Sequence, residues 1–527
     1  MVWDVIVVGG GIAGLTAAAY AARSGANVLV LEKNKKCGGL VNSIERDGFV
    51  FDGGVRALEN AGIILPMLRD LGIRLEFVKS PVSVGVEDKI IKINSKESLK
   101  DYESLLKQLY PESIEDVNEV ARLIKGIMRE MEVLYGIDNP LFLDLKRDLK
   151  KFLPYGPWFF RFLKTVYAMG KMNEPIEPFL ERKLKNSSLK DIISQHFFKG
   201  TPAFFAMSYF YLYTDYIYPK GGVGRLSEAV ENKALELGAK IYTSKRVLEV
   251  IPHRNVIKDD DGNAYEYKKL IWAADLKTLY YIIKNDGLGD KILTKFDGEK
   301  ERILKGFGAD SIFTVFAGVD ESPEKFSEVA QGHFFYTPSR KGLGEIRRSE
   351  LTNLLNNWEK VSKKDVFNWL EKLSSFETYE ISIPALRDSS TVPPGKTGLI
   401  ASFLFDYDLV KKVNESGWYE EFKEQLGKYM IKTLSRTLYH GLEDKLLFSF
   451  TATPLTIERY VGSSEGSIVG WSFEEALPVS SSMLSVRNSV KTAIPNILKA
   501  GQWSYSPTGV PTCIMTGRLA ADAAIEK

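Results

Sequence analysis

The 527-residue chain has only two cysteines, Cys37 and Cys513, which stand far apart and outside CxxC spacing. They therefore predict neither a disulfide framework nor a zinc site. The four histidines are scattered, so we expect no metal centre. No apolar run reaches transmembrane length, and no signal peptide precedes the first predicted strand. These absences favour a cytoplasmic protein without a structural or catalytic metal.

The charge of the chain is nearly balanced, with 70 Lys and Arg against 68 Asp and Glu and a formal net charge of +2. Such a balance gives no global field for nucleic acid, and we expect no nucleic-acid partner. Apolar residues make up 44% of the chain, which is ordinary for a globular protein. The length exceeds what one hydrophobic core supports, so several domains are expected.

The first forty residues carry the most specific pattern. An apolar run, Val5–Val8, meets the glycine turn Gly9–Gly14, and an alanine-rich segment follows to Ser24. A second apolar run, Val28–Leu31, ends in Glu32. This order of strand, glycine turn, helix, strand and acid predicts a dinucleotide-binding βαβ unit.

Each glycine of the turn has a mechanical role. Gly9 permits the tight turn out of the strand, and Gly11 lets the backbone approach a pyrophosphate. Gly14 lets the helix pack closely on the sheet. The first helical residues, Ile12 and Ala13, offer free N–H groups and the positive end of the helix dipole to the phosphates.

Glu32 stands at the tip of the second predicted strand. A carboxylate there can accept both hydroxyl groups of an adenosine ribose and would repel a 2′-phosphate, which favours FAD or NAD over NADP. No second GxGxxG motif with a strand and an acid follows. We therefore expect one dinucleotide site and no built-in pyridine nucleotide domain.

The next segments separate FAD from NAD. Lys33 leads into Gly38-Gly39-Leu40, and Phe51-Asp52-Gly53-Gly54-Val55 follows. These segments resemble the FAD-binding signature of the phytoene desaturase and carotenoid isomerase group, within the amine oxidase and protoporphyrinogen oxidase superfamily. In those families the Gly-Gly loop wraps the cofactor and the second segment runs beside the flavin. Leu40 is a departure, because the family usually has Arg or Ser there.

Two later regions extend the resemblance. The region from Tyr218 resembles the family's return to the FAD domain, where Val247 would touch the adenine and Ala274 would lie in a turn. The C-terminal Gly501-Gln502 and Gly509-Val510-Pro511-Thr512 resemble the segment whose helix points its N-terminus at the flavin. Gln502 stands where the family often has an acid, so the ribitol contact is expected to differ.

The motif and the resemblance together imply an FAD site with no metal. The implied cofactor-binding residues are Gly9, Gly11, Ile12, Ala13, Gly14, Glu32, Lys33, Gly38, Gly39, Leu40, Gly53, Gly54, Val55, Val247, Ala274, Gly501, Gln502, Gly509, Val510 and Thr512.

The implied fold class is α/β. A Rossmann-like FAD-binding domain, a βαβ unit with ββα excursions, would take residues 1–80, 218–280 and 485–527. Residues 81–217 would form a mostly helical insertion that contacts substrate or membrane. Residues 281–484 would form an α+β substrate domain with a mixed sheet, and the charged stretch 285–305 within it is expected to be a surface connection.

Residues 154–172 contain no acid and combine basic residues with many aromatic ones. A basic stripe on a wide aromatic face can lie in a bilayer interface, which would make this a peripheral membrane contact. The alternative is a core helix with an exposed basic edge. The residues expected on the stripe are Arg161, Lys164, Thr165, Ala168 and Lys171.

A second aromatic segment runs from Phe197 to Tyr218. It allows two interpretations, the wall of an apolar substrate tunnel or ordinary core.

Arg56 is the candidate catalytic residue, because it follows the segment that the family places beside the flavin. An arginine there could bind a substrate carboxylate or stabilise charge. The alternative is a structural pairing with a nearby acid or a pyrophosphate oxygen. No nucleophile–base pair emerges from the spacing, and flavin hydride transfer does not require one.

The resemblance implies an FAD-dependent oxidoreductase that acts on C–C or C=C bonds by desaturation, saturation or isomerisation. Its expected substrate is apolar, an isoprenoid, a carotenoid-like molecule or another lipid. An amine oxidase or protoporphyrinogen oxidase-like flavoenzyme is a second hypothesis. A third is a flavin-free lipid-binding escort like the Rab GDP-dissociation inhibitors, which share the fold. The sequence predicts neither the electron acceptor nor the oligomeric state.

Overall fold

The predicted N-terminal motif forms in the computed structural model, which describes residues 1–143, 155–344 and 346–526. Strand β1 (Val2–Val8) leads through the glycine turn into helix α1 (Ile12–Arg23), and β2 (Val28–Leu31) follows. Residues Val5–Val8 of β1 and all of β2 are apolar and buried, as strands covered on both faces must be.

The elements follow in chain order. The remaining strands are β3 Ser43–Arg46, β4 Phe49–Asp52, β5 Leu58–Glu59, β6 Phe77–Lys79, β7 Val82–Val86, β8 Lys89–Ile93, β9 Tyr216–Pro219, β10 Lys240–Tyr242, β11 Val247–Ile251, β12 Val256–Asp259, β13 Ala264–Trp272, β14 Ser311–Val319, β15 His333–Thr337, β16 Tyr379–Ser382, β17 Thr397–Phe405, β18 Leu446–Ala452 and β19 Ile497–Lys499. The remaining helices are α2 Ile64–Leu71, α3 Leu99–Leu109, α4 Ile114–Tyr135, α5 Tyr155–Gly170, α6 Ile176–Lys183, α7 Ser187–Ser194, α8 Ala203–Asp215, α9 Gly224–Glu236, α10 Leu276–Ile282, α11 Asp290–Lys305, α12 Pro323–Val329, α13 Leu351–Asn356, α14 Lys363–Ser374, α15 Tyr407–Glu415, α16 Tyr419–Thr437, α17 Pro454–Val461, α18 Val486–Ser489 and α19 Val510–Ile525.

The first sheet collects strands from distant parts of the chain. Its order is β10-β2-β1-β13-β12-β11, and β19 also pairs with β13. The strands β10, β2, β1, β13 and β19 run parallel, whereas β11, β12 and β13 pair antiparallel. Residues of α1, α9 and α19 bury one face and residues of α10 and α11 bury the other. This is a Rossmann-like sheet with a ββα excursion, and the predicted α/β class is confirmed.

The second sheet is mixed, with the order β18-β14-β17-β16-β15-β7-β8. Only the β15–β7 pair among these is parallel. One face of the sheet packs against residues of α12 to α16. Because β7 and β8 come from residues 82–93, this sheet crosses the predicted division between 81–217 and 281–484. The domain boundaries themselves stay a prediction.

The expected surface connection at 285–305 is wrong over most of its length, because α11 occupies Asp290–Lys305. Phe296 and Ile303, seven residues apart, are buried on one side of this helix. The charged residues cover its other side. The segment is so highly charged that its helical periodicity is hard to recognise, although a narrow apolar stripe is enough to make a helix amphipathic.

A buried ionic cluster links the loop after β4 to the second sheet. The Asp52 carboxylate, at the end of β4, accepts hydrogen bonds from the Tyr218 hydroxyl at 3.0 Å and the Val223 amide at 2.9 Å. Arg387 lies 3.8 Å from that carboxylate and donates to the Arg56 carbonyl at 2.7 Å. The cluster therefore fixes the loop beside the predicted cofactor site against the substrate sheet.

None of the helices in the described ranges combines the length and the apolar content that crossing a bilayer would require.

Candidate active site

A cavity of 440 Å³ opens at the carboxyl ends of β1, β2 and β13. The glycine turn, Glu32, Val247, Ala274 and the first turn of α19 all contribute to its wall. Open parallel sheets bind ligands at this edge, because the following loops and helix N-termini converge there. The structure thus brings together segments that are up to 500 residues apart in sequence.

Glu32 is only 7% exposed and is held in one orientation. Its Oε2 accepts a hydrogen bond from the Gly10 amide at 2.7 Å, and its Oε1 accepts one from the Asn34 amide at 2.8 Å. The carboxylate therefore stabilises the glycine turn as well as facing the cavity. Its predicted role at the ribose is compatible with this position.

The space around the glycine turn shows whether a dinucleotide fits there. Gly9 has a φ of +105°, and a Cβ on Gly14 would lie 2.0 Å from the Gly9 carbonyl oxygen, so both need glycine for local reasons. Gly11 has an ordinary φ of −74°, and a Cβ there would meet nothing within 4 Å. The space in front of the first turn of α1 is therefore open, as a pyrophosphate bound by its N–H groups requires.

Most of the predicted cofactor-binding residues line this cavity. They are Gly9, Gly11, Ile12, Ala13, Glu32, Lys33, Gly38, Gly39, Leu40, Gly54, Val55, Val247, Ala274, Gly501, Gln502, Gly509 and Val510.

Three predicted residues do not line it. Gly14 packs against the Gly9 carbonyl, and a Cβ on Gly53 would lie 2.0 Å from the Asn42 side-chain oxygen. Thr512 faces a neighbouring cavity instead, because the helical turn carries it away from Val510. These residues were inferred from short motifs. A motif does not distinguish a residue that supports the turn from one that contacts the ligand.

The two departures from the family pattern both lie in the wall. The Leu40 carbonyl accepts a hydrogen bond from the Val55 amide at 3.0 Å, so the Gly-Gly loop and the segment after β4 run side by side. Gln502 donates from Nε2 to the Ser463 hydroxyl at 3.2 Å. A neutral amide thus stands in place of an acid and is tied to the loop after α17.

Beyond the cofactor end, the same cavity is walled by one face of the aromatic segment. Phe205, Tyr209, Leu212 and Tyr216 recur at helical spacing and line it. The opposite face of α8 packs in the core, where Phe210 is 5% exposed. One face of this segment therefore lines a cavity and the other is core, and the use of the cavity as a substrate tunnel stays a prediction.

The second sheet supplies the other wall of this end. His333 and Phe335 of β15, Glu380 of β16 and Ser402 of β17 line the cavity, whereas their strand neighbours point into the core. His333 Nε2 and Glu380 Oε1 are 3.0 Å apart. Burial lowers the pKa of His333. Burial alone would raise the pKa of Glu380, but the hydrogen bond to His333 lowers it.

Arg56 lies in the wall but is 2% exposed. Its Nη1 donates to the Asp52 carbonyl at 2.7 Å and to the Gly54 carbonyl at 2.6 Å. The guanidinium therefore clamps the loop that carries it. A catalytic or substrate-binding role for Arg56 stays a prediction.

A second cavity, of 970 Å³, adjoins the first. Glu59, Phe205, Leu212, Thr508 and Gly509 line both. The lining of the second cavity is mainly apolar, and the inner face of α5 forms its outer wall. The side chains of α5 in this wall are Trp158, Phe162, Val166 and Met169.

Helix α5 exposes its aromatic residues. Phe160 is 76% exposed and Tyr167 is 70% exposed, and Phe159 and Leu163 are also open to solvent. Among the described residues of α5 only Thr165 is buried, and it donates to Glu130. The core-helix alternative is therefore wrong, and Thr165 does not belong to an outward basic stripe. Pro154, at the start of the predicted segment, lies outside the described residues.

Glu59, His333 and Glu380 were missed by sequence reasoning. The single acid in the mostly buried strand β16 is a signal that could have identified Glu380. Nothing local distinguishes Glu59 or His333, because each becomes part of the site only through tertiary contacts. The two cysteines are free thiols, and burial raises the pKa of Cys513 to about 11.

Comparisons with known proteins agree with this geometry. The sequence model of the family described as flavin containing amine oxidoreductase matches residues 12–525. All-trans-retinol 13,14-reductase of Danio rerio is 24% identical, covering 97% of this chain and 85% of the relative. The chloroplastic prolycopene isomerase of Arabidopsis thaliana is 23% identical, covering 100% and 84%.

A solved structure of an oxidoreductase from Methanosarcina mazei has the same fold. It superposes with a TM-score of 0.62 at 14% identity, covering 97% of this chain and 98% of that one.

Proposed function

Because the chain belongs to the flavin-containing amine oxidoreductase family, we propose that it is an FAD-dependent oxidoreductase acting on carbon–carbon bonds of an apolar isoprenoid or related lipid. The observation that carries the proposal is the arrangement of the two cavities. The first runs from the cofactor-binding turn to an aromatic wall, and the second continues it as an apolar chamber. Such a continuation suits a long hydrophobic substrate.

The dimensions of the site support FAD as the form of the flavin. Its wall reaches from Val247 and Glu32, where an adenosine would lie, to the first turn of α19. The amides at Gly11, Ile12 and Ala13 would hold the pyrophosphate between them. A mononucleotide would leave the adenosine end without a function.

When bound, the flavin supplies the redox chemistry by exchanging a hydride with a substrate carbon. The chain contributes position and environment. Phe205, Leu212 and Phe335 offer apolar surface that orients an extended substrate and excludes water. The N–H groups that open α19 at Gly509 and Val510 present partial positive charge to the cofactor end.

The relatives support the substrate class. One is a retinol reductase and the other a prolycopene isomerase, and retinol and prolycopene are both isoprenoid polyenes. Desaturation, saturation and isomerisation all require a carbon–carbon bond held against the flavin, so one cavity serves any of them. The open cradle at Gly11 argues against a flavin-free lipid escort, which has no use for it.

We also propose that the protein is cytoplasmic and docks on a membrane surface through α5. Phe159, Phe160 and Tyr167 project outward beside Arg161 and Lys164, and all five are exposed. Aromatic side chains insert at the interface of a bilayer, and basic ones are attracted to anionic lipids. A substrate dissolved in the bilayer would then reach the second cavity without crossing water.

The test starts with an absorbance spectrum of the purified protein, with release and identification of the bound flavin. We expect near-stoichiometric FAD that dithionite reduces under anaerobic conditions. The reduced and oxidised proteins are then each incubated with all-trans-retinol and with a poly-cis carotene, and a change in the polyene spectrum is expected. A colourless protein that takes up no added FAD would refute the oxidoreductase proposal.

A further inference from the structure

Glu59 occupies the junction of the two cavities. It ends β5, pairs with Tyr216 of β9, and its half-buried side chain lines both spaces. A Cβ on Gly509 would lie only 2.7 Å from Glu59 Oε1, so the carboxyl group packs against the start of α19. The carboxyl group thus faces the place where the cofactor end meets the apolar chamber.

The other carboxyl groups in the described wall of the first cavity are engaged. Glu32 accepts two backbone amides and Glu380 is paired with His333. Asp275 accepts the amides of Thr278 and Ser464. Glu59 makes no ion pair with a lysine or arginine in the described ranges; its carboxyl group interacts with its own backbone amide, which leaves hydrogen-bonding capacity for a ligand.

The groups that face Glu59 favour its protonated form. Burial, followed by the charge of Asp215, raises the pKa of Glu59 to about 7. Within the part of the chain that the structure describes, the titratable groups that interact with it are all acids: Tyr135 on α4, Tyr209 and Asp215 on α8, Tyr216 on β9 and Cys513 on α19. A carboxyl group with a pKa near neutral pH can both donate and accept a proton there.

We propose that Glu59 is the proton donor and acceptor for the substrate carbon adjacent to the one that exchanges hydride. This rests on the function proposed above. It assigns a catalytic residue that no motif in the chain indicates.

In the saturation of a double bond, the substrate receives a hydride and a proton. The C=C π bond breaks, and one carbon receives the hydride that reduced flavin supplies. The O–H bond of Glu59 breaks, its electron pair stays on the carboxylate, and its proton forms the second C–H bond. The substrate gains two electrons, the flavin loses two, and water reprotonates Glu59. Desaturation is the reverse reaction: the Glu59 carboxylate removes a proton from one carbon and oxidised flavin accepts a hydride from the other.

The first test measures stability and needs no substrate. A raised folded-state pKa means that the unfolded chain releases the Glu59 proton first as the pH rises. The free energy of unfolding of the parent should therefore fall between pH 4.5 and about 7 by a contribution that Glu59→Gln lacks. The variant should be as stable as the parent at pH 4 and more stable at pH 8.

Glu380→Gln is the matched control, because the pKa of Glu380 is lowered and its variant should lose stability at pH 8 instead. Infrared difference spectra of the flavin-loaded protein give a second readout. The parent should show a protonated carboxyl band at pH 6 that disappears by pH 8.5 and is missing in Glu59→Gln. A Glu59 that ionises near pH 4.5 would overturn the proposal even if the protein binds flavin.

The second test follows the proton. With all-trans-retinol and reduced protein in D₂O, the parent should place deuterium on both carbons of the reduced bond, on one from the reduced flavin, whose N–H exchanges with solvent, and on the other from Glu59. Glu59→Gln should lower the rate by about 100-fold or more with an unchanged flavin spectrum, and Glu59→Asp should recover part of it. Parental rate and labelling in Glu59→Gln would refute the role. A parent protein that binds flavin and turns over no polyene would instead refute the proposed function.

Discussion

The cofactor end and the substrate end of the site are built in different ways. The cofactor end consists largely of backbone, with glycines, amides and the first turns of α1 and α19 around the cavity. The substrate end consists of side chains from β5, α8, β15 and β16, which come together only in the folded chain. A backbone site demands glycine at fixed spacing, whereas an apolar wall demands only side chains that would equally suit a core.

The largest loss of stability is expected from mutation of the buried ionic cluster around Asp52. Asp52→Ala removes a fully buried carboxylate, and with it the charge that Arg387 faces and the acceptor of the Tyr218 hydroxyl. We expect the free energy of unfolding to fall by about 3–5 kcal/mol in urea denaturation. Tyr218→Phe, which deletes one hydroxyl group, should cost only about 1 kcal/mol. Equal losses in both variants would contradict an ionic cluster.

At the cofactor end, flavin affinity and protein stability should depend on different glycines. Gly11→Ala places a methyl group in open space, so the flavin-free protein should keep its stability while flavin affinity falls about 100-fold. Gly14→Ala would instead clash with the Gly9 carbonyl and should lower both. Flavin titration and thermal unfolding of the two flavin-free variants check the contrast. Parental flavin affinity in Gly11→Ala would place the pyrophosphate elsewhere.

At the substrate end, retinol binding should depend on side-chain volume at the junction of the two cavities. Leu212→Trp adds bulk where the two cavities adjoin, so we expect about tenfold weaker binding of all-trans-retinol with a normal flavin spectrum. Leu212→Met, of similar volume, should bind retinol as the parent does. Fluorescence titration measures both. Unchanged retinol binding in the tryptophan variant would mean that the substrate takes another path.

The smallest effect on stability is expected on the outer face of α5. Phe160→Ser should weaken binding to anionic vesicles several-fold and change the free energy of unfolding by less than about 0.5 kcal/mol. Tyr281→Ser, at an exposed aromatic residue away from α5, is the control. Vesicle sedimentation that ranks the two variants alike would refute docking through α5.

These contrasts explain how much the sequence could reveal. The β1–α1–β2 unit was predictable from Gly9, Gly11, Gly14 and Glu32, because each has a local mechanical reason. The membership of β7 in the second sheet was not, since its partner β15 lies about 250 residues away. Glu59 was equally hidden, because its properties come from β9 and α19 rather than from its neighbours in sequence.

The pairing of β19 with β13 has a consequence for synthesis of the chain. The parallel sheet at the cofactor end gains the strand Ile497–Lys499 and its covering helix α19 more than 220 residues after β13. Because β14 to β18 lie between them in sequence, β13 must wait for this partner until most of the second sheet has been made. The place for the flavin is therefore complete only after β19 and α19 have joined strands made much earlier, and a chain interrupted before β19 would hold most of its substrate wall without a completed cofactor site.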